Sequence, residues 1–130
     1  MAKSIYQQVF LPAPPDQVYS VLIDADHHSK FTDAPAHIEG VEGGRFSCYG
    51  EHLTGINVEL IPAKRIVQAW RGDEWAEGEW SIVIFHLETK DDGTNLRLEQ
   101  HGVPDAHYQS IDNGWKKYYW EKLTQYLEQI

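Results

Sequence analysis

The C-terminal stretch from Asp105 to Ile130 constrains this chain more than any other. Projected as a helix at about 100° per residue, it places Ile111, Trp115, Tyr118, Tyr119, Leu123, Tyr126 and Ile130 on one broad face. Lys117, Glu121, Thr124, Gln125 and Glu128 fall on the other. The apolar stripe carries one Trp and three Tyr, a large area with polar tips. A lone amphipathic helix is marginal in water, so this one must lie on another layer. Lys122 falls inside the stripe and is expected to carry its ammonium to the rim.

The preceding residues supply that layer. Ser4–Leu11 reads as a first strand, at an edge, closed by Pro12, Pro14 and Pro15. Pro14 or Pro15 suits the first turn of a short helix whose apolar face is Val18, Val21, Leu22 and Ala25. A second short helix follows through Lys30, ending on Phe31. From Ala36 the pattern turns to strands punctuated by glycine: Arg45–Tyr49, Thr54–Ile61, Arg65–Arg71, and a hairpin of 80–88 and 94–102. Ile56, Val58 and Leu60 are expected on one face of their strand, with Asn57 and Glu59 on the other. Val83, Phe85 and Leu87 share the inner face of the hairpin with Leu96, Leu98 and Gln100. The order is one strand, two short helices, about six further strands and one long helix. It predicts an α+β fold, a curved antiparallel sheet of six to seven strands gripping the C-terminal helix, as a single domain over residues 1–130.

The net charge of −9 leaves no basic stripe for phosphates, which excludes a nucleic-acid binder. The one cysteine, Cys48, allows no internal disulfide and fits a reducing compartment. No apolar stretch reaches the roughly 18 residues of a membrane span, and the N-terminus has no secretory apolar region, so the expected location is cytoplasmic.

An ordered set of short signatures then resembles a known family. It comprises Gly43-Gly44-Arg45-Phe46, the segment from Gly55 through Leu60, Pro62, Lys64 to Val67, Trp70-Arg71, Gly93-Thr94, Gly102-Val103-Pro104, and Gly114-Trp115 with Tyr118-Tyr119. This set is similar to the family of activators of the heat-shock protein 90 ATPase, a branch of the START-like, birch-pollen-allergen-like superfamily. Residues 31–36 and 114–119 look closest to the C-terminal domain of the eukaryotic co-chaperone, whose separate N-terminal domain has no expected counterpart here. The resemblance implies a helix-grip fold with a cavity or groove between sheet and helix. It implies a stress-response co-chaperone that recognises a protein, with a heat-shock protein 90-type chaperone as the implied partner.

The remaining constellations are weaker. Asp24, Asp26, His27 and His28 suggest a metal, but adjacent histidines on a helix point about 100° apart, so they are read as a solvated helix end without a metal. His101 beside Glu99 reads as an outward ion pair, and no nucleophile–base set can be assembled, so no catalytic residue or cofactor is expected. Gln100 is in phase with Leu96 and Leu98 and should point at the helix, needing a partner such as the Tyr108 or Tyr119 hydroxyl. Trp75, in the loop 72–78, is expected to be exposed and to touch a partner. Three functions remain: protein-partner recognition; carriage of a small apolar ligand in a cavity lined by Phe46, Trp70, Phe85, Leu98, Gln100, Tyr108, Trp115 and Tyr119; and a cyclase- or dehydratase-like enzyme.

Overall fold

The computed structural model describes residues 2–130. Strand β1 (Ala2–Leu11) ends at the prolines, and Pro15 opens helix α1 (Pro15–Ile23), where its missing N–H is no loss. Asp24 ends α1 and caps helix α2 (Ala25–Thr32): its Oδ1 accepts from the backbone N–H of Asp26 at 2.9 Å and of His27 at 3.1 Å. Strands β2 (Ala36–Ile38), β3 (Arg45–Cys48), β4 (Leu53–Ile61), β5 (Arg65–Gly72), β6 (Ser81–Lys90) and β7 (Gly93–Pro104) follow. They form one seven-stranded sheet in the order β1-β7-β6-β5-β4-β3-β2, antiparallel throughout. The α+β architecture expected from the sequence is the one observed, with β1 at an edge.

The inner face is set by strand phase. Phe85 pairs with Leu98, Val83 with Gln100 and Leu87 with Leu96, and all six are buried, as the hairpin alternation predicts. Across this face lie α1, α2 and the C-terminal helical segment. That segment begins as a 3₁₀ turn (Asp105–His107) and continues as α3 (Tyr108–Gly114), a π-helical stretch (Trp115–Trp120) and α4 (Glu121–Gln129).

The π stretch corrects the helical projection. Bonds to the fifth residue back, such as Glu121 N–H to the Lys116 carbonyl, widen the turn to roughly 80° per residue. Trp115, Tyr119 and Trp120 then share one face and are all buried, whereas Tyr118, expected on that face, swings out to 45% exposure. Regular α-geometry would leave Trp120 about 140° from Trp115.

Strand β4 is also out of phase with its expectation. Gly55 and Asn57 point inward, and Ile56 and Val58 point out. A bulge between Asn57 and Glu59 then resets the phase, so that Leu60 packs against the core. Asn57 is tolerated inside because its amide is paired. Its Nδ2 donates to the Glu39 carbonyl at 2.9 Å, and its Oδ1 accepts from Gln68 Nε2 at 3.1 Å. Gly55 lets the Phe46 ring lie across the strand, and a Cβ there would strike that ring and the Ala69 carbonyl oxygen. Gly55→Ala is expected to cost about 3 kcal/mol by overpacking, read as a lowered urea midpoint at constant slope.

Candidate functional site beneath the C-terminal helix

Polar tips on the helical aromatics decide how the helix sits. Trp115 Nε1 donates to Gln100 Oε1 at 2.8 Å, Gln100 Nε2 donates to Ser81 Oγ at 3.0 Å, and Ser81 Oγ donates to the Trp70 carbonyl at 2.8 Å. Gln100 is fully buried on the helix side, as its phase predicts, but its partners are an indole and a serine rather than a tyrosine. A second chain runs to the edge strand: Trp120 Nε1 donates to Gln7 Oε1 at 2.7 Å, and Gln7 Nε2 donates to Asp112 Oδ1 at 2.8 Å. Both amides thus have both ends satisfied, which for the buried Gln100 avoids a penalty of about 1–3 kcal/mol per orphaned group.

The third chain passes through His28, which is buried and not at a solvated helix end. Its signal is the spacing His28, Phe31, Thr32 along α2, the i, i+3, i+4 pattern of a packed helix face. His28 Nδ1 lies 3.1 Å from the Leu22 carbonyl, which can only accept, so Nδ1 carries the proton. Nε2 therefore accepts from the Tyr119 hydroxyl at 3.1 Å. Burial outweighs the Leu22 bond and depresses the imidazole to about 4, keeping it neutral. The same hydroxyl lies against the thiol of Cys48, a buried residue that burial pushes up to about 12.

The sequence-derived candidates divide into three groups. Trp70, Trp115 and Tyr119 line an open groove of about 520 Å³, with Tyr49, Leu53 and Tyr118. Those three, with Phe46 and Phe85, also surround an interior void of only about 20 Å³. Leu98 and Gln100 lie fully buried under the helix, and Tyr108 is half-buried at the helix start, with Lys3 Nζ 5.0 Å from its ring centroid. Trp75 departs from its expected exposure: it is 5% exposed. Its ring meets Trp70 edge-on at 5.6 Å and stacks on His107 at 5.9 Å, because the 72–78 loop folds back over the sheet end. Arg71 donates to the Trp75 carbonyl at 2.8 Å, closing that loop.

The groove mouth carries residues that the sequence reading missed. His52 and Asp73 pair at 2.7 Å across it, and the Tyr49 hydroxyl donates to the Tyr118 carbonyl at 2.6 Å. Tyr49 reaches that position from a left-handed backbone (φ 53°), which no periodicity announces. On the opposite face of the sheet, Glu99 accepts from His86 at 2.6 Å and His101 at 3.2 Å, and His101 Nδ1 lies 2.9 Å from Ser4 Oγ. The two histidine bonds hold the Glu99 carboxyl below its usual range. The Ser–His–Glu order resembles a hydrolytic set, but it lies on the open sheet face and does the work of a polar clamp. Among the described residues, no group of three or more His, Cys, Asp or Glu is placed to hold a metal ion, and no helix is long and apolar enough to cross a membrane.

A curved antiparallel sheet closed by a C-terminal helix of riveted aromatics defines a helix-grip, START-like protein. The chain belongs to the family described as Activator of Hsp90 ATPase homolog 1-like protein, which it matches over residues 12–128. Human Activator of 90 kDa heat shock protein ATPase homolog 1 is 31% identical over 123 residues, covering 95% of this chain and 36% of that protein. A Dictyostelium discoideum homologue is 35% identical over 106 residues, covering 79% of this chain and 27% of its own length. The chain thus spans about a third of the curated relatives it matches. The fold is shared with an HSP90 activator from Plasmodium falciparum (TM-score 0.84, 21% identity, 95% of this chain and 93% of that one). It is shared as well with the Aha1 dimer from Colwellia psychrerythraea (TM-score 0.83, 20% identity, 97% and 96%).

His28 predicts a pH dependence. Its folded value near 4 lies below the unfolded value near 6.5, so the unfolded state binds the extra proton between them. The stability it contributes is therefore complete above pH 6.5 and falls as pH drops toward 4, by up to about 3 kcal/mol. Urea midpoints measured across that window should show this slope in the wild type and lose most of it in His28→Gln.

Proposed function

We propose that this chain is a non-enzymatic, co-chaperone-like module that acts by recognising a protein partner of the Hsp90 chaperone type. The observation that carries the reading is the filled interior. Trp115, Tyr119, Phe46, Phe85 and Trp70 leave an enclosed void of only about 20 Å³, far below the roughly 300 Å³ of a small-molecule pocket, and the larger space beside the helix is an open groove. A protein whose interior is occupied by its own side chains meets its partners on its surface. Membership of the activator family supports the choice of partner. The test is a purified Hsp90-type chaperone titrated with this chain. Binding by calorimetry and at least a two-fold change in ATPase rate are expected, and absence of both overturns the reading.

A second reading rests on the groove of about 520 Å³ along the helix, whose walls include Trp70, Trp115, Tyr118 and Tyr119. Its aromatic walls suit a flat apolar ligand of modest size. Gly114 lies in the groove wall, and a Cβ there meets only Tyr118 Cδ2, at 3.7 Å. Gly114→Leu is expected to fill the groove without unfolding the helix. It should reduce tryptophan quenching by an aromatic probe such as anilinonaphthalene sulfonate at least five-fold, and unchanged quenching removes this reading.

A further inference from the structure

The outward face of the sheet does not follow the rule for an antiparallel sheet with one solvated side, which places polar residues outward. Cross-strand pairing aligns Arg45, Ile56, Ala69, Ile82 and His101 in one outward row. The next row holds Glu59, Val67, Ile84, Glu99 and Tyr6, with the bulged Val58 beside it. Ile56 is 38% exposed, Ile82 41%, Val58 51% and Tyr6 68%. Trp80, 45% exposed, lies at the margin with the Arg71 guanidinium 5.5 Å from its ring centroid. Beside Arg45, Thr54, Ile56 and Trp80 the surface dips into a shallow hollow of about 820 Å³. Aliphatic side chains grouped at the centre of an exposed sheet mark a contact surface.

Charge distinguishes this face further. All four arginines of the chain, Arg45, Arg65, Arg71 and Arg97, occupy outward strand positions, with Lys90 at the hairpin end. The outward acids are Glu59, Glu88 and Glu99, and Glu39 and Glu51 line the hollow beside Arg45, so the face is about neutral while the chain carries −9. Arg65 lies 3.1 Å from Glu59, Arg97 lies 3.3 Å from Glu88, and Glu99 is taken by its two histidines. These pairs ring the aliphatic centre with guanidinium groups that can each accept a further carboxylate. Five strands spaced about 4.8 Å apart make the patch roughly 19 Å wide, enough for one helix of about 10 Å diameter to lie across it.

We infer that the outward sheet face is a docking surface for an acidic amphipathic segment of a protein partner, a helix or convex knob with an aliphatic or aromatic stripe rimmed by Asp and Glu. The inference deepens the partner-recognition reading and rests on it. The stripe covers Ile56, Ala69 and Ile82, and the carboxylates meet the arginine rim. A second copy of this chain would place arginine rim against arginine rim. An anionic bilayer finds no net positive charge on this face and repels the −9 chain. The acidic protein segment is the occupant that satisfies both the apolar centre and the rim.

The test is a titration of the full, isotope-labelled chain, followed by amide shifts. The first probe is a helical peptide with a Leu/Phe stripe flanked by glutamates. The others are the same peptide with lysines in place of glutamates, and phosphatidylserine vesicles. The acidic peptide is expected to shift the signals of Ile56, Ala69 and Ile82, with a Kd that rises with salt. The lysine peptide should bind at least ten-fold more weakly. Arg45→Glu and Ile82→Glu should each weaken the acidic peptide at least ten-fold, while Ile82→Val binds as wild type. Both glutamate variants replace side chains outside the core, and an unchanged near-ultraviolet dichroism spectrum checks their fold. No acidic-peptide binding, equal binding of the two peptides, shifts confined to the Tyr118 groove, binding of vesicles alone, or a concentration-dependent dimer that buries Ile82 would each overturn the inference. Chaperone stimulation left intact by Ile82→Glu removes the surface and leaves the partner reading standing. Peptide docking at Ile82 with no chaperone response keeps the surface and removes the chaperone as its partner.

Discussion

Three rings within six residues have to reach the same sheet. Trp115, Tyr119 and Trp120 achieve this because the backbone between them is wound as a π-helix, and their polar tips then select where each ring stops. The indoles of Trp115 and Trp120 stack at 5.5 Å with 17° between their planes, so neither can shift without the other. One is tied to Gln100 on β7 and the other to Gln7 on the neighbouring edge strand β1. The helix is held at two strands with defined orientation, which hydrophobic contact alone, being non-directional, does not provide. The seat of α2 follows, since His28 must meet the Tyr119 hydroxyl.

The same rings empty the interior of usable volume. A helix-grip protein can leave its centre open or close it with side chains. Here Trp115 packs against Trp70 at 5.7 Å, Phe85 at 5.7 Å and Tyr119 at 4.9 Å, closing the centre. On the proposed function, recognition falls to surfaces. The arginine-ringed sheet face and the aromatic groove are the two with chemistry of their own, and they lie on opposite sides of the sheet.

The sequence made the succession of elements along the chain, the hairpin phase and the aromatic helix legible, because alternation over the hairpin and the clustering of Trp and Tyr are strong local signals. Gln100 was readable for the same reason: its phase with Leu96 and Leu98 leaves it no other direction. What escaped came from changes of period. The β4 bulge reverses the sense of Ile56 and Val58, and the π stretch exchanges Tyr118 for Trp120. A constant 100° or 180° step cannot register either. Trp75 escaped differently: the loop carrying it turns inward to cover Trp70, a tertiary choice with no local signature. The groove residues Tyr49, His52 and Asp73 are distant in sequence from the helix they face, so only the fold brings them to it.

The lone thiol has a use that its burial creates. Cys48 is buried against the Tyr119 hydroxyl with its thiolate suppressed, so alkylating reagents meet it only when the surrounding packing opens. The rate of thiol modification therefore reports how often the packing around Cys48 and Tyr119 opens. The molecule thus carries an intrinsic gauge of its own breathing, placed at a contact between helix and sheet.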